Sequence, residues 1–510
     1  MTTVTSNKRI AKNTVFLYIR MIIIMLVSLY TSRIVLQELG IDDYGVYTVI
    51  GGVVSMFAFI NGSMTTSTQR YLNFELGKGL SERLNNVFKT SLTIHAFIAV
   101  IVIILAETIG LWFVNNKLII PSESIFGANI VYQASILSFC ITIFQVPFNA
   151  TIIAHEKMSI YAYISIIEAV LKLGIAFSLL LVTKYKLAVY GVLILFVHLI
   201  VALIYIGYSV RKYSECKIGL LYHKPLFKEM SGFAGWNLCG SIAWVIRLQG
   251  LGIILNMFYG PVLNAAKGIS DQVSGAVNQL NNNFQIALNP QITKNYAQNR
   301  LAEMQTLTYR GIKFSSLLLL LMIVPIWVNI NTILHFWLTE VPEYTQIFVI
   351  LILCDTFCGN LFGSPLMASL AATGNIRNYQ LTVSIVLLLI LPISYIMLKL
   401  GYVPESVFYA NIILNLIAGL TRFYFCKRQL NYQYKSFFQI VIFPVVSVGI
   451  LSIISMLLIK RYLLDTSNIC DIFLSLILSI VIPAVSGWFI AFNQIERKAI
   501  VDLIRSKIKL

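Results

Sequence analysis

The chain has 510 residues, of which 58% are hydrophobic and 12% charged, and its mean hydropathy is +0.81. A soluble globular domain carries roughly a quarter charged residues, so these proportions exclude one and indicate a polytopic, all-α membrane protein. The formal charge of +17, from 38 Lys and Arg against 21 Asp and Glu, reads first as the cytoplasmic excess of cations typical of membrane proteins, not as a nucleic-acid surface.

Apolar runs long enough to span a bilayer fall at about 13–38, 43–68, 86–114, 124–153, 158–182, 187–210, 230–257, 261–288, 310–334, 344–371, 378–400, 404–425, 435–459 and 471–493. These are fourteen predicted helices joined by short loops. The polar, basic N-terminus leads into an apolar run too long for a signal peptide, so no cleavage is expected. With both termini in the cytoplasm, alternation places 26 Lys and Arg on the inner side and 6 on the outer side. That asymmetry supports the number of spans and the orientation together, in what is expected to be a bacterial cytoplasmic (inner) membrane. The basic residues 496–510 read as an amphipathic tail on the inner membrane surface, in contact with lipid.

An internal repeat is visible at an offset of about 220. Gly40 falls on Gly260, Ile34-Val35 on Ile254-Leu255, and Ile60-Asn61 on Leu280-Asn281; Pro147, Ala150 and Ala154 match Pro365, Ala368 and Ala372 at 218. Two pseudo-symmetric six-helix lobes are expected, 1–215 and 216–430, followed by two additional helices over 431–495. Parallel repeats of this kind are a transporter arrangement, with the substrate site in a central cavity between the halves.

The most polar of the spans, 261–288, carries Lys267, Asp271, Ser274, Asn278, Asn281 or Asn282, and Gln285 at intervals of three to four residues. On a helix they share one face. In hydrocarbon that face must meet protein or water, and it is read as the wall of a water-filled cavity. Arg247 lies near the middle of its span and is by default a functional candidate, whereas Arg20, nearer an end, is as readily a snorkelling residue. Glu168 with Lys172, and Lys267 with Asp271, have the i,i+4 spacing of self-neutralising pairs. Asp355 and Glu168 are the candidates for ion coupling. The seven cysteines include no CxxC pair, so neither a disulfide framework nor a zinc site is supported, and no metal or cofactor is expected. There is no Walker A motif, HExxH or GxSxG, which excludes an ATP-driven pump in this chain and argues against an enzyme.

Two stretches carry a family resemblance. Leu39-Gly40-Ile41-Asp42-Asp43-Tyr44-Gly45-Val46-Tyr47, closing the first span, resembles the polysaccharide flippases. These are the O-antigen translocase type within the multidrug/oligosaccharidyl-lipid/polysaccharide exporter superfamily. Pro147-Phe148-Asn149-Ala150-Thr151-Ile152-Ile153-Ala154-His155-Glu156-Lys157-Met158 with Tyr161-Ala162 is similar to its lipopolysaccharide-biosynthesis branch. The resemblance implies alternating-access transport of an undecaprenyl-diphosphate-linked oligosaccharide, an O-antigen or capsule unit, from the inner to the outer leaflet. It also implies glycan polymerase and glycosyltransferases of the same pathway as partners. Related lipid II flippases hold the diphosphate with arginines from helices 1, 2 and 8. Arg20 stands at the first of these positions, no arginine precedes Arg70 in the second, and Lys267 takes the third, with Arg247 a substitute. Cations suit a diphosphate, and amides and hydroxyls suit sugars. A drug or organic-cation exporter of the same superfamily would want buried acids where bases predominate here. A membrane polymerase or ligase of lipid-linked glycans would need larger outer loops.

Overall fold

The computed structural model describes residues 3–57, 64–65, 68, 71–72, 75–76, 81–155, 157–373, 375–463 and 468–498. Side chains are described for all of these except 3–20, 81–82, 158, 233–242, 244, 280, 282–283, 286–287, 290–291, 294, 297 and 469. The tail beyond residue 498 and much of the predicted span 43–68 lie outside the described residues.

The described chain is a series of helices. In order these are α1 (Thr3–Ser55), α2 (Arg83–Lys117), α3 (Ile125–Ala154), α4 (Ser159–Leu181), α5 (Lys186–Lys212), α6 (Lys224–Tyr259) and α7 (Pro261–Ala297). They continue with α8 (Leu301–Val328), α9 (Thr345–Ala372), α10 (Arg377–Lys399), α11 (Ser406–Leu430), α12 (Tyr434–Tyr462) and α13 (Cys470–Ala491). Among the described residues eleven helices are long and apolar enough to cross a membrane. One of these contains the break at Gly40, and α6 and the polar α7 lie at two further spans expected from hydropathy. The fold is thus all-α and polytopic. α7 extends well beyond its hydropathy bounds, because its polar C-terminal part is helical without being apolar.

Burial is arranged for a bilayer and not for water. Leu181, Phe336, Phe473 and Phe489 are exposed, while Asn256, Ser270, Thr308 and Ser316 are fully buried. Lipid tails solvate the apolar exterior, so helices associate through close packing and interhelical hydrogen bonds.

Two compact units divide the chain: Met1–Gly268 with Trp337–Tyr344, and Ile269–Phe336 with Thr345–Leu510. In the first, Phe88, Phe148, Val201 and Tyr205 belong to the apolar core. In the second, Ile312, Val324, Leu366, Phe423 and Val445 do. Contacts within each unit join helix ends that an alternating path places on the same side. His155 Nε2 lies 2.6 Å from Glu215 Oε1, and Asn85 donates to the Glu215 carbonyl at 2.8 Å. At the opposite ends Lys186 pairs with Glu38 at 2.8 Å, and the Ile119 N–H donates to Asn256 at 2.8 Å. In the second unit Lys313 meets Glu496, while Lys460 donates to the Val328 carbonyl at 2.7 Å.

The glycines matched by the internal repeat have matching backbones. Gly40 has φ 78, ψ 172, and Gly260 has φ 76, ψ −164. This region is essentially restricted to glycine, and each residue marks the junction between two helices. No atom lies within 4 Å of a Cβ built on Gly40, and only the Ile119 side chain, at 3.5 Å, approaches one on Gly260. Substitution therefore tests backbone strain and not crowding. Gly40→Ala and Gly260→Ala are each expected to cost about 1–3 kcal/mol, read as a lowered melting temperature of the detergent-solubilised protein; unchanged melting would show that the junctions relax freely.

Candidate functional site

The polar face of α7 is organised by α8 and α9, within the second unit. Ser274 and Thr356 share a hydrogen bond of 2.9 Å, and the Asn278 amide donates to the Ser274 carbonyl at 3.0 Å. One turn on, Asn281 and Gln285 both donate to Asn360 Oδ1, the first at 2.7 Å. The Asn360 amide in turn donates to Ser315 at 3.1 Å and Ser316 at 2.8 Å. Asn289 donates to Ser364 at 3.0 Å and continues the row. At these contacts the stripe from Ser274 to Gln285 meets protein. The physical reason lies on α9, where Thr356 and Asn360 stand one turn apart on one face and Ser364 opens the helical segment after the break at Gly363. That spacing was present in the sequence but lay within an otherwise apolar span.

The predicted residues separate into distinct settings. Asn278 and Gln285 share the hydrogen-bonded layer just described. Asp355, beside it in sequence, accepts instead from the Asn415 amide of α11 at 2.8 Å. Asp271 is exposed, and the side chains of Asn282 and Arg20 lie outside the described residues. Arg247 on α6 is 1% exposed and Lys267 on α7 is 6% exposed, both in the first unit. The Lys267 stem lies close to Gly252 of α6, where a Cβ would meet its Cδ at 3.4 Å. A small residue there lets the lysine lie between the helices, burying two cations where most membrane helices carry none.

A further feature sits wholly inside the first unit. A cavity of about 370 Å³ is lined by Ser28 and Thr31 of α1, Gln145 and Asn149 of α3, Tyr161, Ser165, Glu168 and Lys172 of α4, and Tyr205 of α5. Glu168 and Lys172 are joined at 2.6 Å, as their spacing implied. The Thr31 and Ser165 hydroxyls donate to their own helices, to the Val27 and Tyr161 carbonyls. Their oxygens can still accept. Asn149 Oδ1 is buried with no hydrogen-bond partner. Gln145 and Asn149 are not marked out by the sequence, because they flank Pro147 in a run that reads as apolar; their four-residue spacing is the available signal.

No protein-family model matches the sequence, and no curated relative matches it. Solved structures do share the fold. A lipid II flippase, MurJ, in an inward closed conformation aligns with a TM-score of 0.70 at 12% identity, covering 94% of this chain and 98% of that one. An inward-facing multidrug resistance MATE family transporter of the MOP superfamily aligns at 0.62 and 13% identity, covering 79% and 98%. A MOP superfamily transporter from Pyrococcus furiosus, described by a reversed polarity of its binding pocket, aligns at 0.60 and 15% identity, covering 82% and 96%.

Proposed function

We propose that the chain is a flippase that moves an undecaprenyl-diphosphate-linked oligosaccharide, an O-antigen, capsule or exopolysaccharide unit, from the inner to the outer leaflet by alternating access. The observation that carries the reading is the end-to-end likeness to a lipid II flippase. The drug-exporter structure leaves about a fifth of this chain uncovered, a length that accommodates α12, α13 and the residues after them. The buried cations Arg247 and Lys267 support the same reading, since a diphosphate wants charge-assisted donors.

In this reading Arg20, Arg247 and Lys267 hold the diphosphate. Asp271, Asn278, Asn282 and Gln285 contact sugar hydroxyls, the layer around Asn360 opening during the cycle to exchange internal hydrogen bonds for bonds to substrate. Asp355 serves ion coupling in this reading, Glu168 being held in its ion pair with Lys172. The repeat divides functionally into lobes 1–215 and 216–430, with 431–495 added. The chain sits in a bacterial inner membrane with both termini cytoplasmic, beside the polymerase and glycosyltransferases of its pathway.

The test uses a deletion strain and asks from which side the lipid-linked oligosaccharide is open to a membrane-impermeant glycosidase. Complete oligosaccharide trapped inside supports the flippase. Unpolymerised units outside would point to a polymerase, and unchanged glycan to a drug exporter. Arg247→Ala is expected to lower flipping by roughly tenfold or more, given about 1.5–3 kcal/mol for a hydrogen bond to a charged group. Membrane abundance should hold, and Arg247→Lys should restore part of the rate. Normal export by Arg247→Ala would remove this residue from the site.

A further inference from the structure

We propose that the cavity enclosed by α1, α3, α4 and α5 is a saccharide subsite that takes one hydroxyl-bearing sugar ring of the transported molecule; the inference rests on the flippase reading.

Size argues first. A volume of about 370 Å³ falls within the roughly 300–1,000 Å³ of small-molecule pockets and is many times the ~30 Å³ share of one water. A bare ion would leave most of it empty. Charge argues next. Glu168 and Lys172 are already joined at 2.6 Å, so the carboxylate has its cation and the ammonium its anion. A second ion of either sign gains little from a pair that is closed on itself. A neutral ligand rich in hydroxyls gains from both, because the carboxylate still has lone pairs to accept with and the ammonium still has protons to donate.

The remaining lining has the same character. Gln145 and Asn149 each offer an amide that donates and a carbonyl that accepts. Asn149 Oδ1 is buried and unsatisfied, which costs about 1–3 kcal/mol, and a turn of this amide toward the cavity would let a sugar hydroxyl supply the missing donor. Tyr161 and Tyr205 add aromatic surface with a polar end, suited to a ligand that is part apolar ring and part hydroxyl.

The experiment uses the full chain with Gln145→Ala, Asn149→Ala and Glu168→Gln, each first checked for a wild-type melting temperature. Free oligosaccharide, released by mild acid from the host's own lipid-linked pool, is titrated into purified protein by calorimetry. In proteoliposomes, flipping of the intact lipid-linked oligosaccharide is compared with that of bare undecaprenyl diphosphate. Gln145→Ala and Asn149→Ala are expected to weaken oligosaccharide binding about tenfold each. They should raise the KM for the glycosylated lipid by a similar factor, with kcat and the flipping of the bare diphosphate little changed. Equal losses for both lipids would assign these residues a structural role and overturn the subsite. So would wild-type flipping of the glycosylated lipid without any binding of free oligosaccharide, or a sodium-dependent stabilisation lost in Glu168→Gln. Binding of the oligosaccharide by a chain that flips neither lipid would keep the saccharide site and remove the flippase reading.

Discussion

Gly45→Ala is expected to abolish the native first unit, whereas Gly51→Ala, six residues further along the same helix, should be tolerated. At Gly45 a Cβ would lie 2.0 Å from the Pro261 carbonyl oxygen and 2.6 Å from its carbon. Both are backbone atoms at the start of α7, so no rotamer change relieves the overlap. The neighbouring contacts are also tight: a Cβ on Gly268 would meet Thr48 at 2.9 Å, and one on Gly52 would meet the Gln249 side chain at 3.2 Å. Relief therefore requires α1 and α7 to separate along their shared crossing. The loss should exceed about 4 kcal/mol, the range reached only by severe overpacking and comparable defects. A Cβ on Gly51 meets nothing within 4 Å, and replacing a mid-helix glycine by alanine there should be neutral or stabilising by up to about 1 kcal/mol. Size-exclusion profiles and melting curves in detergent separate the two. A monodisperse Gly45→Ala protein with wild-type melting would show that the crossing is not as close as described. The same contact gives a physical reason for the second glycine of Gly40-x4-Gly45: the first supplies a backbone conformation closed to other residues, and the second supplies room.

Glu496→Ala is expected to cost about 3–5 kcal/mol, the range for leaving one member of a buried ion pair uncompensated. Lys313 and Glu496 are 2% and 6% exposed, and the ammonium lies 2.6 Å from the carboxylate. The same ammonium donates to the Ala491 carbonyl at 3.0 Å. Glu496 does a second task. The Asn493 N–H donates to its carboxylate at 3.0 Å, while the Glu496 N–H donates to Asn493 Oδ1 at 2.9 Å. This reciprocal capping box starts the helical turn after α13 and adds about 1 kcal/mol. Arg310, at 3.5 Å and half-buried, contributes less than Lys313. Melting temperature in detergent reads the loss, and Lys313→Met combined with Glu496→Leu should recover most of it by replacing the pair with apolar packing. Equal destabilisation by the single and double variants would mean that the cap, not the pair, carries the energy.

Both effects depend on partners far apart in the chain, and that is where sequence reading ended for this protein. The spans were legible because each is a local property. About twenty apolar residues cross a bilayer whatever surrounds them, and the ends found for α2 to α5, α9, α10, α12 and α13 lie close to the hydropathy bounds. The two helix junctions at Gly40 and Gly260 were legible, since a backbone conformation reserved for glycine is written into a single residue. The periodic polar face of α7 was legible as well, because helical spacing fixes which residues share a face. What meets that face was not. Thr356, Asn360 and Ser364 occupy it from another helix, and Asn360 satisfies two of its amides at once. Gln145 and Asn149 likewise line a cavity only when α1, α4 and α5 pack around them. One helix's periodicity determines the face it presents, and only the packing of other helices decides whether that face is sealed by protein or left open to a ligand.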